Sequence, residues 1–181
     1  MTLQSLGVCG SLRSGSTNSR LLEAAARLLP AGVDLHLTTL VGRLPLFNPD
    51  ISVAASDVVF QWVQEMRGAD GLVISAPEYA RGYPGALKNA LDWLVDTDAF
   101  VAKPFMMLAA SGRSTVGRDT LITVLETMSG IHVVQASIVV NLLGTPSDAA
   151  SIIASAEHAT RILASMDRFA AEVRSKNTEE K

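Results

Sequence analysis

The chain has 181 residues, 48% of them apolar, with 15 Lys and Arg against 18 Asp and Glu for a formal net charge of −3. That length and apolar content fit one domain with a complete core, and the mild negative balance excludes the electrostatic footprint of a nucleic-acid or membrane-surface binder. A single cysteine, Cys9, rules out an internal disulfide and suits a cytosolic protein.

Strand and helix patterns alternate along the chain. Residues 3–10 read as a buried strand that runs into a Gly/Ser/Arg turn at 11–18. Leu21, Leu22, Ala25, Leu28 and Leu29 then recur at helical spacing over 18–29, and Pro30 and Gly32 stop the helix. Val33, Leu35, Leu37 and Thr39 alternate as a second strand over 33–40. A loop with an apolar tip, Leu44 to Phe47, follows. Ser56 or Asp57 is placed to cap a helix ending near Gly68. Residues 70–76 form a continuous apolar strand, as a parallel sheet covered on both faces requires. Residues 84–95 read as a helix with Pro84 in its first turn, 104–110 as a fourth strand, and 115–129 as a helix closed by Gly130. Residues 132–142 read as a fifth strand and 147–174 as a last helix capped by Ser147 or Asp148. Residues 1–174 thus form one domain, and 175–181 read as a solvated, flexible tail.

Five strands alternating with five helices imply right-handed βαβ units and a three-layer α/β sandwich. In the flavodoxin-like strand order 2-1-3-4-5, the loops after strands one, three and four gather at one edge, where such sheets bind ligands. These loops are 11–18, 77–85 and 111–117, all rich in Gly, Ser or Pro. In the first, Ser11, Ser16 and Thr17 offer hydroxyls, Arg13 a forked cation and Asn18 an amide, all beside a helix N-terminus. That combination suits a phosphate, although neither the G-x-G-x-x-G nor the P-loop spacing occurs. In the second, Pro77, Gly82, Pro84 and Gly85 fix the backbone, and Tyr79 and Tyr83 are placed to flank a flat ring. A rigid structural turn is the plainer reading of the same residues.

The two stretches taken together are more specific. Gly10-Ser-Leu-Arg13-x-x-Ser16-x-Asn18 and Pro77-Glu-Tyr79-x-Arg81-x-x-Pro84-Gly85-x-Leu87-Lys-Asn89-Ala-x-Asp92-Trp93 resemble the NADPH-dependent FMN reductases, which include chromate-, quinone- and azo-reducing flavoproteins. The resemblance covers the chain to about Leu143. It implies an FMN-dependent, NADPH- or NADH-driven oxidoreductase working by a ping-pong cycle. The acceptor would be a small molecule: a quinone, free flavin, azo compound or metal oxyanion. By the same resemblance Ser11, Arg13, Ser16 and Asn18 match the phosphate-binding turn. Pro77, Glu78, Tyr79 and Arg81 match the loop along the isoalloxazine ring, and Ser111 and Gly112 the closing loop. Tyr79, Arg81 and Tyr83 are then placed to meet the nucleotide or acceptor. No catalytic side chain is assigned, because the flavin carries the chemistry.

Two departures from the family pattern stand out. Ala80 occupies a position where the family often has Asn or Ser, and the third loop lacks the usual Ser-Pro-Gly wording. These departures keep open a flavin-less binding module of the same fold, and the other alternative is an electron carrier of the flavodoxin type. A homodimer or homotetramer is implied by similar proteins and by the apolar side chains of 44–47 and 83–93. His36, His132 and His158 lack metal-binding spacing. Cys9 reads as a small packing residue, and Lys88 and Asp92 as a structural i,i+4 pair.

Overall fold

The computed structural model describes residues 2–113, 115–144 and 148–179. Ser147, one of the two expected caps of the last helix, lies outside them. A parallel sheet runs through the molecule in the order β2-β1-β3-β4-β5, with β6 also paired to β4. Its strands are β1 (Leu3–Cys9), β2 (Val33–Leu37), β3 (Gly71–Ser75), β4 (Pro104–Ala109), β5 (Ile131–His132) and β6 (Ile138–Val139). The flavodoxin-like order expected from the strand–helix alternation is the observed one.

Two apolar cores form, one on each face. Leu21, Leu22 and Ala25 of α1 (Thr17–Arg27) lie on one face with Ile152 of α5 (Ala149–Ala154) and Met166 and Phe169 of α6 (Ala156–Glu179). The opposite face carries α2 (Asp57–Gly68), α3 (Gly85–Asp92) and α4 (Val116–Thr127), through Trp62, Val63, Leu87, Leu91, Leu121 and Leu125. β3 is buried along its whole length because both cores close over it. Trp62 satisfies its buried indole N–H on the Ala90 carbonyl at 2.8 Å, which locks α2 to α3.

Two elements differ from the sequence reading. The expected fifth strand is broken into β5 and β6 by a 3-10 turn at Val134–Ala136. Phe105 faces His132 and Leu108 faces Ile138, so three steps along β4 match six along its neighbour. The surplus residues loop out, and Ser137 Oγ accepts from the Met107 N–H at 2.9 Å in place of a ladder partner. The expected last helix is likewise two helices. Ser155 adopts an extended backbone between them, and its Oγ accepts from the His158 N–H at 3.4 Å, starting α6 afresh. Asp148 caps α5 by accepting from Ser151 N at 2.7 Å. α6 continues beyond Arg174 to Glu179. At the end of α4 the left-handed residue is Ser129 (φ 67°), one position before Gly130.

His132 supports the break in the fifth strand. Its ring stacks on Phe105 (centroids 5.0 Å apart, planes 7° apart), and Nε2 lies 2.9 Å from Ser137 Oγ. Burial holds its pKa below the ordinary 6.5, Glu126 opposing this and Arg118 reinforcing it. A depressed histidine pKa means that the unfolded chain takes up the proton first. The stability from neutral His132 is therefore complete above about pH 6.5 and is lost as pH falls below it. Thermal unfolding followed at neutral and mildly acidic pH should show a smaller acid loss in His132→Gln than in the wild type.

Candidate functional site

At the carboxyl ends of β1, β3 and β4 a cleft of about 350 Å³ opens, a size typical of small-molecule sites. All three expected loops line it. Thr17 and Asn18 come from the first, Pro77, Glu78 and Tyr83 from the second, and Ser111, Arg113 and Gly117 from the third. Met107, Leu108, Leu121 and Leu143 add an apolar wall, and Arg118 a second cation.

The first loop delivers the N-terminus of α1 to this cleft. Ser16 is the N-cap residue, yet its side chain makes no capping bond. The leading N–H groups of the helix are thus left for something else, and the dipole favours an anion. Asn18 is 9% exposed, and its Oδ1 accepts from the buried Ser75 Oγ at 3.0 Å. Ser16 is buried beside it. Ser11 is half-buried, with its Oγ accepting from the Arg13 N–H at 3.3 Å, and Arg13 is exposed; neither lines the cleft. Gly10 serves packing here. A Cβ at that position would meet the Ala76 Cβ at 2.8 Å, so only glycine lets β1 leave the sheet this close to β3. Cys9 is half-buried with Sγ 3.6 Å from the Ser11 carbonyl, and burial pushes its thiol pKa up, so the sulfur stays protonated and unreactive.

The second loop is a miniature hairpin. Tyr79 and Gly82 exchange backbone hydrogen bonds of 2.8 and 2.9 Å, and Ala80 (φ 49°) and Arg81 (φ 62°) between them are both left-handed. Two consecutive positive φ values define a tight type I′ turn, which normally selects Asn-Gly. The left-handed backbone suits an Asn at position 80, so Ala80 holds the turn at a conformational cost. The turn carries Tyr79, 55% exposed, and Arg81 out of the lining, while Tyr83 returns to it. Burial raises the Tyr83 phenol pKa, keeping it a neutral hydrogen-bond donor.

A carboxylate joins the second loop to the third. Glu78 Oε2 accepts from the Gly117 N–H at 2.8 Å, in the first turn of α4. The positive end of α4 is thereby occupied by a side chain from another loop. The approach is close: a Cβ on Gly117 would sit 2.8 Å from the Gly82 carbonyl oxygen and 2.9 Å from Glu78 Cγ. Ser111 lines the cleft and Gly112 does not.

The conspicuous residues of α3 act away from the cleft. Asn89 Oδ1 accepts from Phe47 N at 2.7 Å, while Asn89 Nδ2 and Trp93 Nε1 both donate to the Pro45 carbonyl at 2.9 Å. Phe47 meets Trp93 edge-on at 5.2 Å. The 44–47 tip is therefore pinned to α3, and Trp93, read as needing a partner subunit, is only 2% exposed within one chain. Lys88 and Asp92 form the expected ion pair. Sequence reasoning missed the apolar wall and Ser75, whose residue types are those of any buried strand or helix. Among the described residues there is no cluster of His, Cys, Asp and Glu suited to a metal ion.

Two substitutions test this geometry. Ala80→Asn should stabilise the chain by about 1 kcal/mol, because asparagine tolerates the left-handed turn that alanine resists. Gly117→Ala should destabilise it by roughly 1–3 kcal/mol, since the second and third loops must separate. Denaturant unfolding checks both, and opposite signs are expected.

Comparison with known proteins places the chain. A Pseudomonas aeruginosa NAD(P)H-dependent FMN reductase is 39% identical over 109 residues, covering 59% of this chain and 58% of the relative. A Burkholderia 2-hydroxy-1,4-benzoquinone reductase is 42% identical over 93 residues, covering 51% and 50%. The chain thus spans about half to three-fifths of the length of these relatives. Among solved structures, a Paracoccus denitrificans flavoenzyme, an NAD(P)H:(acceptor) oxidoreductase, superposes with a TM-score of 0.74 over 94% of this chain and 98% of its own, at 22% identity, a likeness of fold. The model of the NADPH-dependent FMN reductase family matches residues 4–144, and the chain belongs to that family.

Proposed function

We propose that the cleft binds FMN and that the protein passes electrons from a reduced nicotinamide nucleotide to a small oxidised acceptor. One observation carries this reading: an uncapped helix N-terminus and an apolar wall line the same cleft. A ligand with a phosphate at one end and a flat ring at the other fits both. The unspent donors of the α1 N-terminus and of Asn18 suit the phosphate, with Ser11, Arg13 and Ser16 supporting that turn. Met107, Leu108, Leu121 and Leu143 suit the ring, with the backbone of Pro77 and Glu78 along its edge and Ser111 and Gly112 on the far side. Tyr79 and Arg81 complete the second loop.

FMN bound here supplies hydride acceptance and onward electron transfer. The chain's own work is positioning. The Glu78–Gly117 contact holds the second and third loops at a fixed separation, so an incoming ring meets a preset slot. Tyr83 offers a neutral donor at its mouth, and Tyr79 and Arg81 stand outside it where nucleotide or acceptor enters. Arg113 and Arg118 give the entrance a positive field for nucleotide phosphates. Nucleotide and acceptor use the same face in turn, which makes the cycle ping-pong. The names of the relatives favour a quinone over free flavin, an azo compound or a metal oxyanion as acceptor.

We further propose a cytosolic homodimer or homotetramer. Leu46, at the pinned 44–47 tip, is 84% exposed, and Phe60, Val95 and Val101 also face outward. No helix among the described residues is long and apolar enough to cross a membrane.

Purified protein loaded with FMN and stripped of excess should keep a flavin absorption spectrum that bleaches anaerobically on adding NADPH or NADH and returns on adding a quinone. A spectrum that nucleotide does not bleach supports a carrier reduced by a partner. A chain that retains no flavin supports a binding module. Sedimentation at micromolar concentration should show a species larger than the 19.2 kDa chain.

A further inference from the structure

We infer that Ser75 is a positioning residue for the phosphate site: it fixes which end of the Asn18 amide faces the cleft. The inference rests on the FMN reading above. Ser75 ends β3 with no exposed surface, and its Oγ donates to Asn18 Oδ1 at 3.0 Å. A fully buried hydroxyl proton must find an acceptor. The carboxamide oxygen is the acceptor in reach, and an amide can serve only with its oxygen turned toward the strand. The two Nδ2 hydrogens are then directed away from β3, on the side where Asn18 lines the cleft.

The opposite orientation would have two faults. Ser75 Oγ would become the acceptor, leaving its own proton to seek another partner in a buried position. Asn18 would present a carbonyl oxygen where the α1 N-terminus attracts an anion, and oxygen facing phosphate is repulsive. Ser75 thus selects the donor-bearing orientation before any ligand arrives, so a phosphate meets preorganised N–H groups without reorientation. Ser75 does not line the cleft; it acts through Asn18 alone.

The placement of Ser75 is itself fixed by the sheet. Its carbonyl accepts from the Gly10 N–H at 2.9 Å, and it stands in register with Cys9 at the end of β1. One residue therefore pairs with the strand that precedes the first loop and with the helix that follows it.

The test compares two ligands that differ only in the phosphate. Apoprotein is titrated with FMN and with riboflavin by quenching of flavin fluorescence, for wild type, Ser75→Ala, Asn18→Ala and the double variant. Ser75→Cys, close in volume but a poor donor, serves as a second variant, and thermal unfolding without ligand checks folding. Ser75→Ala and Ser75→Cys should weaken FMN about tenfold while leaving riboflavin affinity unchanged. Ser75→Ala should add nothing in the Asn18→Ala background. Equal losses for both flavins, or a full further loss in that background, would overturn the inference. A wild type that binds FMN and depends on Asn18 but is indifferent to both Ser75 variants would overturn it alone. A wild type that binds neither flavin overturns the flavin reading and this inference together.

Discussion

Just past the carboxyl ends of β1 and β3 the two segments run too close for a side chain at Gly10, and the rest of the site depends on that approach. Gly10 donates to the Ser75 carbonyl at 2.9 Å, and a Cβ on Gly10 would collide with Ala76. Parallel strands place their outgoing loops at one end, and the crossover from β2 to β3 passes over β1 and puts β3 on its other side. The phosphate-type turn and the proline-rich loop consequently leave the sheet side by side. A larger residue at position 10 would push them apart, and the helix N-terminus would no longer share a cleft with the apolar wall.

Electrostatics then divides the helix ends between two tasks. The N-terminus of α1 is left open, because Ser16 makes no side-chain cap and Asn18 is turned to keep its donors unspent. The N-terminus of α4, at the other side of the cleft, is closed by Glu78. An open and a closed dipole on opposite walls give the cleft a direction, with the anionic end of a ligand favoured at α1. Glu78 belongs to the motif matched to the ring-side loop, and its side chain is engaged with the protein itself.

How much of this was legible depended on whether a residue's role was local. The strand–helix alternation, the order of the sheet and the gathering of three loops follow from patterns within single segments and from chain topology, and all three are observed. The break in the fifth strand was not legible, because Ser137 replaces a ladder partner for β4, a choice made by the neighbouring strand. The restart at Ser155 was hidden for a similar reason: a serine within an apolar helical period reads equally well as an exposed helix residue or as a cap. The wall formed by Met107, Leu108, Leu121 and Leu143 was invisible for a third reason. Core and cleft side chains are the same residue types, and only the space beside them differs.

The motif that carried the family resemblance also proves to be two sets of residues with different work. Asn18, Pro77 and Glu78 reach the cleft, whereas Asn89 and Trp93 hold the 44–47 tip, and Lys88 and Asp92 pair with each other. Pro77 and Glu78 lie close in sequence to the tip-holding residues because α3 follows the second loop directly, the loop reaching the cleft and the helix holding the tip. Pinning the tip to α3 is what lets Leu46 stand exposed on a fixed support rather than on a free loop. An apolar residue presented on such a support loses little conformational freedom when covered, which favours burial against another surface. The residues that make the family recognisable therefore report on a scaffold joining a ligand cleft to an outward-facing tip, and the cleft accounts for a minority of them.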